Sequence, residues 1–229
     1  HPARRLWKRP LPSGALSALV TDVLGIRRTY DDVPGSLIPY LYQQYLQTRN
    51  ARDMVRVLYH NEIDLLSMVS LGVTLASAFG APPAVEMPLE DRLSLARWYT
   101  SRGMLAEAER AFRSAADDAP DAETRHEALQ GLGALLKRAG RRDEAVPVWE
   151  WLADLRLDTS GHVELAMHYE WHAADLGLAL AWTRAAIELA ESWRPGWRRT
   201  EALRELSHRR DRLQRRLGGG LTGVKDAPE

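Results

Sequence analysis

Apolar residues recur at helical spacing through most of the chain, and no segment strongly signals a β-strand. The segment SGALSALVTDVLGI starts with a serine that can cap a helix and contains Gly25, which can stop one. The segment PGSLIPYLYQQYL follows, with Leu37, Leu41 and Tyr45 at helical spacing. A third helix is predicted at about residues 51–78, apolar on most faces like a helix enclosed by its own domain. This pattern predicts an all-α chain.

A change of composition interrupts the helical pattern at FGAPPAVEMPLED, residues 79–91. Its glycine and three prolines prevent one continuous helix, so we place a domain boundary here. The predicted organisation is a helical domain at residues 1–78, a linker at 79–91, a helical solenoid at 92–217 and a disordered tail at 218–229.

After this boundary, small and large apolar residues repeat in a pattern that matches the tetratricopeptide repeat. Two antiparallel helices approach closely only where small residues face each other, and larger side chains fill the groove beside them. A second unit follows 37 residues after the first, and a looser third unit comes later. Three units are the minimum at which such stacking supports itself. The residues that carry the pattern are Leu95, Ala96, Tyr99, Ala108, Phe112 and Ala115, then Leu132, Gly133, Leu136, Ala145 and Trp149, then Leu165, Ala166, Tyr169, Ala179 and Ala186.

The segment EALRELSHRRDRLQRRL is predicted to be a helix that caps the solenoid, because its leucines form one narrow apolar stripe. From Arg198 to Leu217 there are eight arginines and three acidic residues, a local net charge of +5 (8 − 3). Arginine clusters neutralise phosphates, so one interpretation is a nucleic-acid-binding surface; the alternative is a solvated capping helix. The glycine-rich polar tail that follows is predicted to be disordered. The candidate nucleic-acid-binding residues are Arg209, Arg210, Arg212, Arg215 and Arg216.

Composition narrows the function classes only slightly. Lysine plus arginine equals aspartate plus glutamate at 31 each, so no overall charge favours nucleic acid. Absence of cysteine excludes disulfides and thiolate chemistry and fits a cytoplasmic location. No run of 18 apolar residues occurs, so we expect no membrane association. The chain begins without methionine, and we expect it to be a fragment or to lack upstream residues.

The apolar stretch LYHNEIDLLSM, residues 58–68, contains the candidate catalytic chemistry. His60 and Asp64 are four residues apart, so on a helix they lie one turn apart on the same face. Taken alone, this spacing favours an ordinary polar pair on a partly solvated helix. A single carboxylate with a histidine does not define a metal site.

Three segments around this pair resemble the C-terminal third of the YprB-type RNase H-like exonucleases, a bacterial branch of the DEDD 3′ to 5′ exonucleases. They are RRLW, then DDVPGSLIPYLYQQYL, then VLYHNEIDLLSMVSLGVTLA, and the resemblance covers roughly residues 1–78. The resemblance implies that Asp64 is the last of four acidic residues and holds one of two Mg²⁺ or Mn²⁺ ions. It implies that His60 orients or deprotonates the attacking water, a role that suits an imidazole.

The resemblance also has a gap. The family's first acidic motif, Asp-x-Glu, and its second, an Asn followed by Asp, have no candidates here, because Asp31 and Asp32 match the family's linker instead. We therefore expect this chain alone to be inactive as a nuclease and to bind no metal ion stably. The competing hypothesis is a noncatalytic scaffold that binds a protein partner through the solenoid groove. Helices that evolved to cover an absent sheet would expose apolar surface, so self-association is also predicted.

Two further groups of residues lie outside these patterns. Trp171, Trp193 and Trp197 are not placed by the repeat, and we favour core packing over a peptide-binding face for them. His168 and His172 are four apart but lack the glutamate placement of a zinc protease motif, so a structural role is favoured.

Overall fold

The structure, a computed structural model, describes residues 16–26, 33–80 and 88–219. The described residues form α-helices and one 3₁₀ turn at Gly35–Leu37, with no strand among them. The all-α prediction is confirmed for these ranges. The helices are α1 (Leu16–Asp22), α2 (Ile38–Thr48), α3 (Arg52–Gly80), α4 (Leu89–Ser101), α5 (Leu105–Asp117), α6 (Ala122–Arg138), α7 (Arg142–Asp154), α8 (Ser160–Trp171), α9 (Leu176–Glu191) and α10 (Trp197–Gly219).

The chain divides into two compact units, His1–Trp98 and Tyr99–Glu229. Helix α3 ends at Gly80 and α4 begins at Leu89, on either side of the proline-rich segment, most of which lies outside the described residues. The division into units falls within α4, beyond the linker that the sequence predicts. The functional domain boundaries stay a prediction.

The first unit contains α1, α2 and α3, with both shorter helices in contact with α3. Helix α1 is followed by Gly25, whose φ of 66° is the left-handed conformation that glycine adopts without strain. Helix α2 ends at Arg49 in the same conformation, and the Arg49 N–H donates to the carbonyl of Tyr45. The side chain of Asn50 then accepts a hydrogen bond of 3.1 Å from the N–H of Arg52, which starts α3.

Helix α3 is 29 residues long and exposes much of its apolar surface, so the prediction of a helix enclosed by its own domain is wrong for the described residues. Val57, Ser67 and Leu71 are buried along it. The segment Arg52–Phe79 is long and apolar enough to cross a membrane by length and composition, with a mean hydropathy of 1.4 over an 18-residue stretch. The core helix of a soluble protein passes the same test, so the expectation of no membrane association stays a prediction. The exposed apolar residues are Val55, Leu58, Leu65, Leu66, Met68, Val69 and Val73.

In the second unit, each helix from α5 to α10 packs against the next. Small residues at the repeat positions permit this close approach: Ala108, Ala145 and Ala166 are fully buried. A Cβ atom added to Gly161 would lie 2.6 Å from both the Ala153 nitrogen and the Trp149 carbonyl oxygen, so α8 touches the backbone of α7 here. Stacked helices are what repeats of this kind require, and the tetratricopeptide assignment stays a prediction.

The turns between these helices are fixed by local chemistry. Asp121 and Asp175 each accept a backbone N–H three residues later, at 2.7 and 2.8 Å, and so cap α6 and α9. Gly103 and Gly140 adopt left-handed backbone conformations in the α4–α5 and α6–α7 turns. These residues fix the starts of α6 and α9 and the turns that follow α4 and α6.

Helix α10 packs on α9 through the predicted leucine stripe. Leu206 lies against Ala186, Ile187 and Ala190. Leu213 is fully buried in a second cluster further along α10. The helix continues through the two glycines at 218 and 219, which the sequence analysis assigned to the tail. Residues 220–229 lie outside the described residues, so their disorder stays a prediction.

Candidate functional site

The predicted catalytic pair lies on α3 and is brought together as its spacing requires. The Nε2 atom of His60 is 3.3 Å from Oδ2 of Asp64, one helical turn away. Both side chains are partly buried, with exposed fractions of 20% and 26%. A carboxylate at this distance from an imidazole can orient the ring.

This pair does not make up the two-ion site that the resemblance implies. Within the described ranges, no three His, Cys, Asp or Glu side chains lie close enough together to hold a metal ion. Asp64 supplies at most two oxygens, whereas Mg²⁺ takes about six ligands, mostly oxygens. Binding two divalent ions therefore needs carboxylates beyond those that the structure describes.

The predicted basic residues separate into two sets. Arg209, Arg212 and Arg216, on one face of α10, all donate to the carboxylate of Glu170 at the end of α8. The N···O distances are 3.2, 2.7 and 2.8 Å, and the Glu170 side chain is completely buried. Burial lowers the pKa of Arg209 and Glu170 opposes this shift by favouring the charged form. These arginines therefore bind the capping helix to the third predicted repeat.

The other two predicted residues lie outside this cluster. Arg210 pairs with Asp211 at 2.9 Å. The Nε of Arg215 donates to the Asp211 backbone carbonyl at 3.3 Å. Neither interaction joins α10 to another helix.

Sequence reasoning missed Glu170 altogether. Its preference for core packing holds for Trp193 but is wrong for Trp197, which is 83% exposed, and for Trp171. The Arg212 and Arg216 guanidinium carbons lie 5.7 and 5.1 Å from the centre of the Trp171 ring, within the range of cation–π attraction. Trp171 is nevertheless 60% exposed. The arginine spacing 209, 212 and 216 is the one signal that could have indicated a common partner, because these positions share a helix face.

A groove of about 590 Å³ lies between α6, α7 and α8. A Lys137–Glu164 ion pair of 2.7 Å crosses it, and Trp149 and Leu152 border it although both are almost fully buried. This is where the predicted units would present a partner-binding face. Its lining also includes Gln130, Arg138 and Ser160, so most of its side chains are polar or charged.

The burial and ring contacts of the two histidines on α8 favour a structural role for them. His168 is buried, lies 6.1 Å from the Trp149 ring centre and stacks on His172. Burial lowers the pKa of His168 and of His162, because a charged imidazole loses its hydration there. Both rings are thus held in the neutral form.

Comparison with known proteins first indicates the class of protein to which this chain is similar. A family model described as the RNase H superfamily matches residues 2–76, which contain the His60–Asp64 pair. This is a nuclease-like superfamily, and the match supports an RNase H-like relationship for the first third of the chain.

The chain is also 29% identical over 187 residues to the uncharacterized protein YprB of Bacillus subtilis (strain 168). The alignment covers 79% of this chain and 44% of YprB, so it extends beyond the RNase H-like segment into the second unit. No solved structure matches.

Proposed function

We infer that this chain is the C-terminal portion of a metal-dependent 3′ to 5′ exonuclease that hydrolyses nucleic acid phosphodiesters. The observation that carries this inference is the His60–Asp64 pair, 3.3 Å apart on a helix within the residues that match the RNase H superfamily. Asp64 would hold a divalent ion, and His60 would orient or accept a proton from the attacking water. Bound Mg²⁺ or Mn²⁺ would supply charge stabilisation at the phosphate.

The exposed apolar face of α3 supports the same proposal. Val55, Leu58, Leu65 and Val69 are each more than half exposed, which is unusual on one helix. A central sheet that carries the missing acidic motifs would cover such a face. Because the alignment spans less than half of YprB, there is room in the relative for that sheet.

The first experiment measures the intact mass of the native protein against 25.8 kDa and assays that protein on 3′-labelled single-stranded DNA and RNA with Mg²⁺ or Mn²⁺. We expect a larger native species that degrades at least one substrate. Asp64→Asn should lower its rate by roughly 100-fold or more, since a metal ligand is lost. Glu62→Gln, two residues away on the exposed side of α3, is the matched control.

Two results would contradict the proposal. One is a native protein of 25.8 kDa with no hydrolytic activity, and the other is an active native protein in which Asp64→Asn behaves like Glu62→Gln. Metal-dependent degradation by the 229-residue chain alone would instead overturn its expected inactivity.

The groove between α6, α7 and α8 favours a second candidate, a noncatalytic scaffold that binds a protein segment. Under this hypothesis the Lys137–Glu164 pair contacts the partner. A native protein without nuclease activity, together with a bound protein whose association is lost in Lys137→Glu, would support it. Unchanged association in that variant would count against it.

A further inference from the structure

The cluster at the end of α8 contains more positive charge than the protein neutralises there. Three guanidinium groups from Arg209, Arg212 and Arg216 converge on the single carboxylate of Glu170, so the groups in direct contact have a net charge of +2 (3 − 1). Glu164 also acts on Arg209, but it pairs with Lys137. One bidentate arginine satisfies a carboxylate geometrically. The three arginines together satisfy Glu170 and join α10 to α8, but they carry more positive charge than one carboxylate neutralises.

The cluster also has unused hydrogen-bond donors. Each guanidinium carries five N–H donors, and the two oxygens of Glu170 accept four hydrogen bonds from the three arginines. The Nε atom of Arg212 is buried and has no hydrogen-bond partner among the described residues. Buried polar atoms are almost always paired, so this donor has room for an acceptor from outside the described residues, either water or an anion.

Glu170 also holds the arginines in place before any ligand arrives. Arg212 and Arg216 retain exposed fractions of 34% and 41%, so the cluster reaches solvent. Side chains that are already fixed lose less conformational entropy on binding. The buried carboxylate therefore makes the cluster a preorganised site.

Beside the arginines lies an aromatic ring that packing does not explain. Trp171 is 60% exposed and lies within cation–π distance of both Arg212 and Arg216. An exposed indole beside guanidinium groups offers a flat surface to a nucleobase and donors to the adjoining phosphate. A phosphopeptide or an anionic membrane would use the arginines but gives no comparable reason for the ring.

We propose that Trp171, together with Arg209, Arg212 and Arg216, forms a binding site for single-stranded nucleic acid, in which the indole stacks on a base and the arginines bind phosphates. This site deepens the proposed function and rests on it for its role, because it would retain a strand that the nuclease domain cleaves. Arg210 and Arg215, which contact Asp211, are peripheral to it.

The test uses the 229-residue chain and a fluorescein-labelled oligothymidylate of about 12 nucleotides, with binding followed by anisotropy between about 50 and 200 mM salt. Trp171→Ala should weaken binding about tenfold, whereas Trp171→Phe, which keeps a stacking ring, should stay close to the unmodified chain. Arg216→Gln should lower the slope of log affinity against log salt by about 0.7, one phosphate contact.

The matched control is Arg204→Gln. Arg204 lies on the same helix, is 67% exposed and pairs with Glu201, so the variant removes the same charge away from the cluster. Circular dichroism and thermal unfolding of each variant separate loss of the site from loss of the fold.

Three results would overturn the proposal: no binding of the oligonucleotide, equal binding by Trp171→Ala and Arg204→Gln, or binding of a phosphoserine peptide or phosphatidylglycerol vesicles in preference to it. Each is separable from failure of the proposed nuclease, because binding is measured on a chain that is not expected to cleave. A native nuclease that depends on Asp64 but not on Trp171 would leave the proposed function intact and exclude this site.

Discussion

The long helix α3 and the helices α5–α10 use apolar residues in opposite ways. In α3, residues such as Leu58 and Val69 are more than 60% exposed, whereas apolar positions such as Leu132 and Leu165 in the second unit are buried. Both regions have the helical periodicity that predicts an amphipathic helix. The second unit buries its own apolar positions, whereas the described residues leave much of the apolar surface of α3 exposed.

The same contrast appears in the polar groups. In the second unit, a completely buried carboxylate is surrounded by three arginines. On α3, the His60–Asp64 pair lies at a partly exposed surface without a group of metal ligands among the described residues. The Glu170–arginine cluster pairs its buried carboxylate fully. The His60–Asp64 pair needs additional metal ligands before it can hold a catalytic ion.

The largest predicted effect tests whether the second unit depends on its buried charge. Glu170→Gln removes the carboxylate and leaves three guanidinium groups close together without a counter-charge. We expect the free energy of unfolding to fall by about 3 kcal/mol, as for other buried ion pairs that lose one partner. Chemical denaturation measures this, with Glu188→Gln on the exposed side of α9 as the control. Equal stability of the two variants would contradict the role given to Glu170.

A smaller effect tests the close approach of α7 and α8. In Gly161→Ala, the new Cβ would clash with backbone atoms of Trp149 and Ala153 at 2.6 Å, so the helices must separate. We expect a loss of about 1–3 kcal/mol, typical of overpacking. Gly72→Ala in α3 is the contrasting substitution, because nothing lies within 4 Å of its Cβ position; it should stabilise by about 0.5–1 kcal/mol. A stabilising Gly161→Ala would show that the two helices are further apart than described.

The third prediction concerns pH and is expected to be weaker than either substitution. Burial lowers the pKa of His162, Arg156 adds to this effect, and Asp154 and Asp158 oppose it. Since the unfolded chain binds a proton at about pH 6.5 and the folded chain only at lower pH, stability is lost as pH falls below about 6.5.

The measurement is the free energy of unfolding from about pH 7.5 to pH 5. His162→Gln should show a shallower loss than the unmodified chain, because its side chain does not titrate. His208→Gln, at an exposed histidine, should keep the full pH dependence. If both variants respond to pH like the unmodified chain, His162 does not contribute.

The smallest effect on stability is predicted for the exposed face of α3. Leu65→Lys and Val69→Lys should change the free energy of unfolding by no more than about 0.5 kcal/mol, because both side chains are already more than half exposed. They should also reduce self-association, measured by sedimentation velocity. Leu71→Lys, at a buried position on the same helix, should instead be strongly destabilising. Equal destabilisation by all three would mean that this face is covered in solution.

The sequence by itself determined the helices and much of their packing. Small residues such as Ala108 and Ala166 at regular intervals predicted where helices touch, since only small side chains permit that approach, and these positions are fully buried. The spacing of His60 and Asp64 predicted their 3.3 Å contact for a similar reason, because residues four apart on a helix are neighbours. Contacts of this kind depend on the spacing of residues along the chain, so they can be predicted without coordinates.

Only the tertiary structure decided which charged residues share a partner. Glu170 lies 39 to 46 residues before the arginines that bind it, and its sequence context, between an exposed Trp171 and a half-buried Tyr169, gives no sign of complete burial. Five candidate arginines looked equivalent in the sequence, but the packing of α10 turned Arg209, Arg212 and Arg216 toward Glu170 and left Arg210 and Arg215 beside Asp211. Such pairings depend on how distant helices are rotated against each other, which no local pattern of residues specifies.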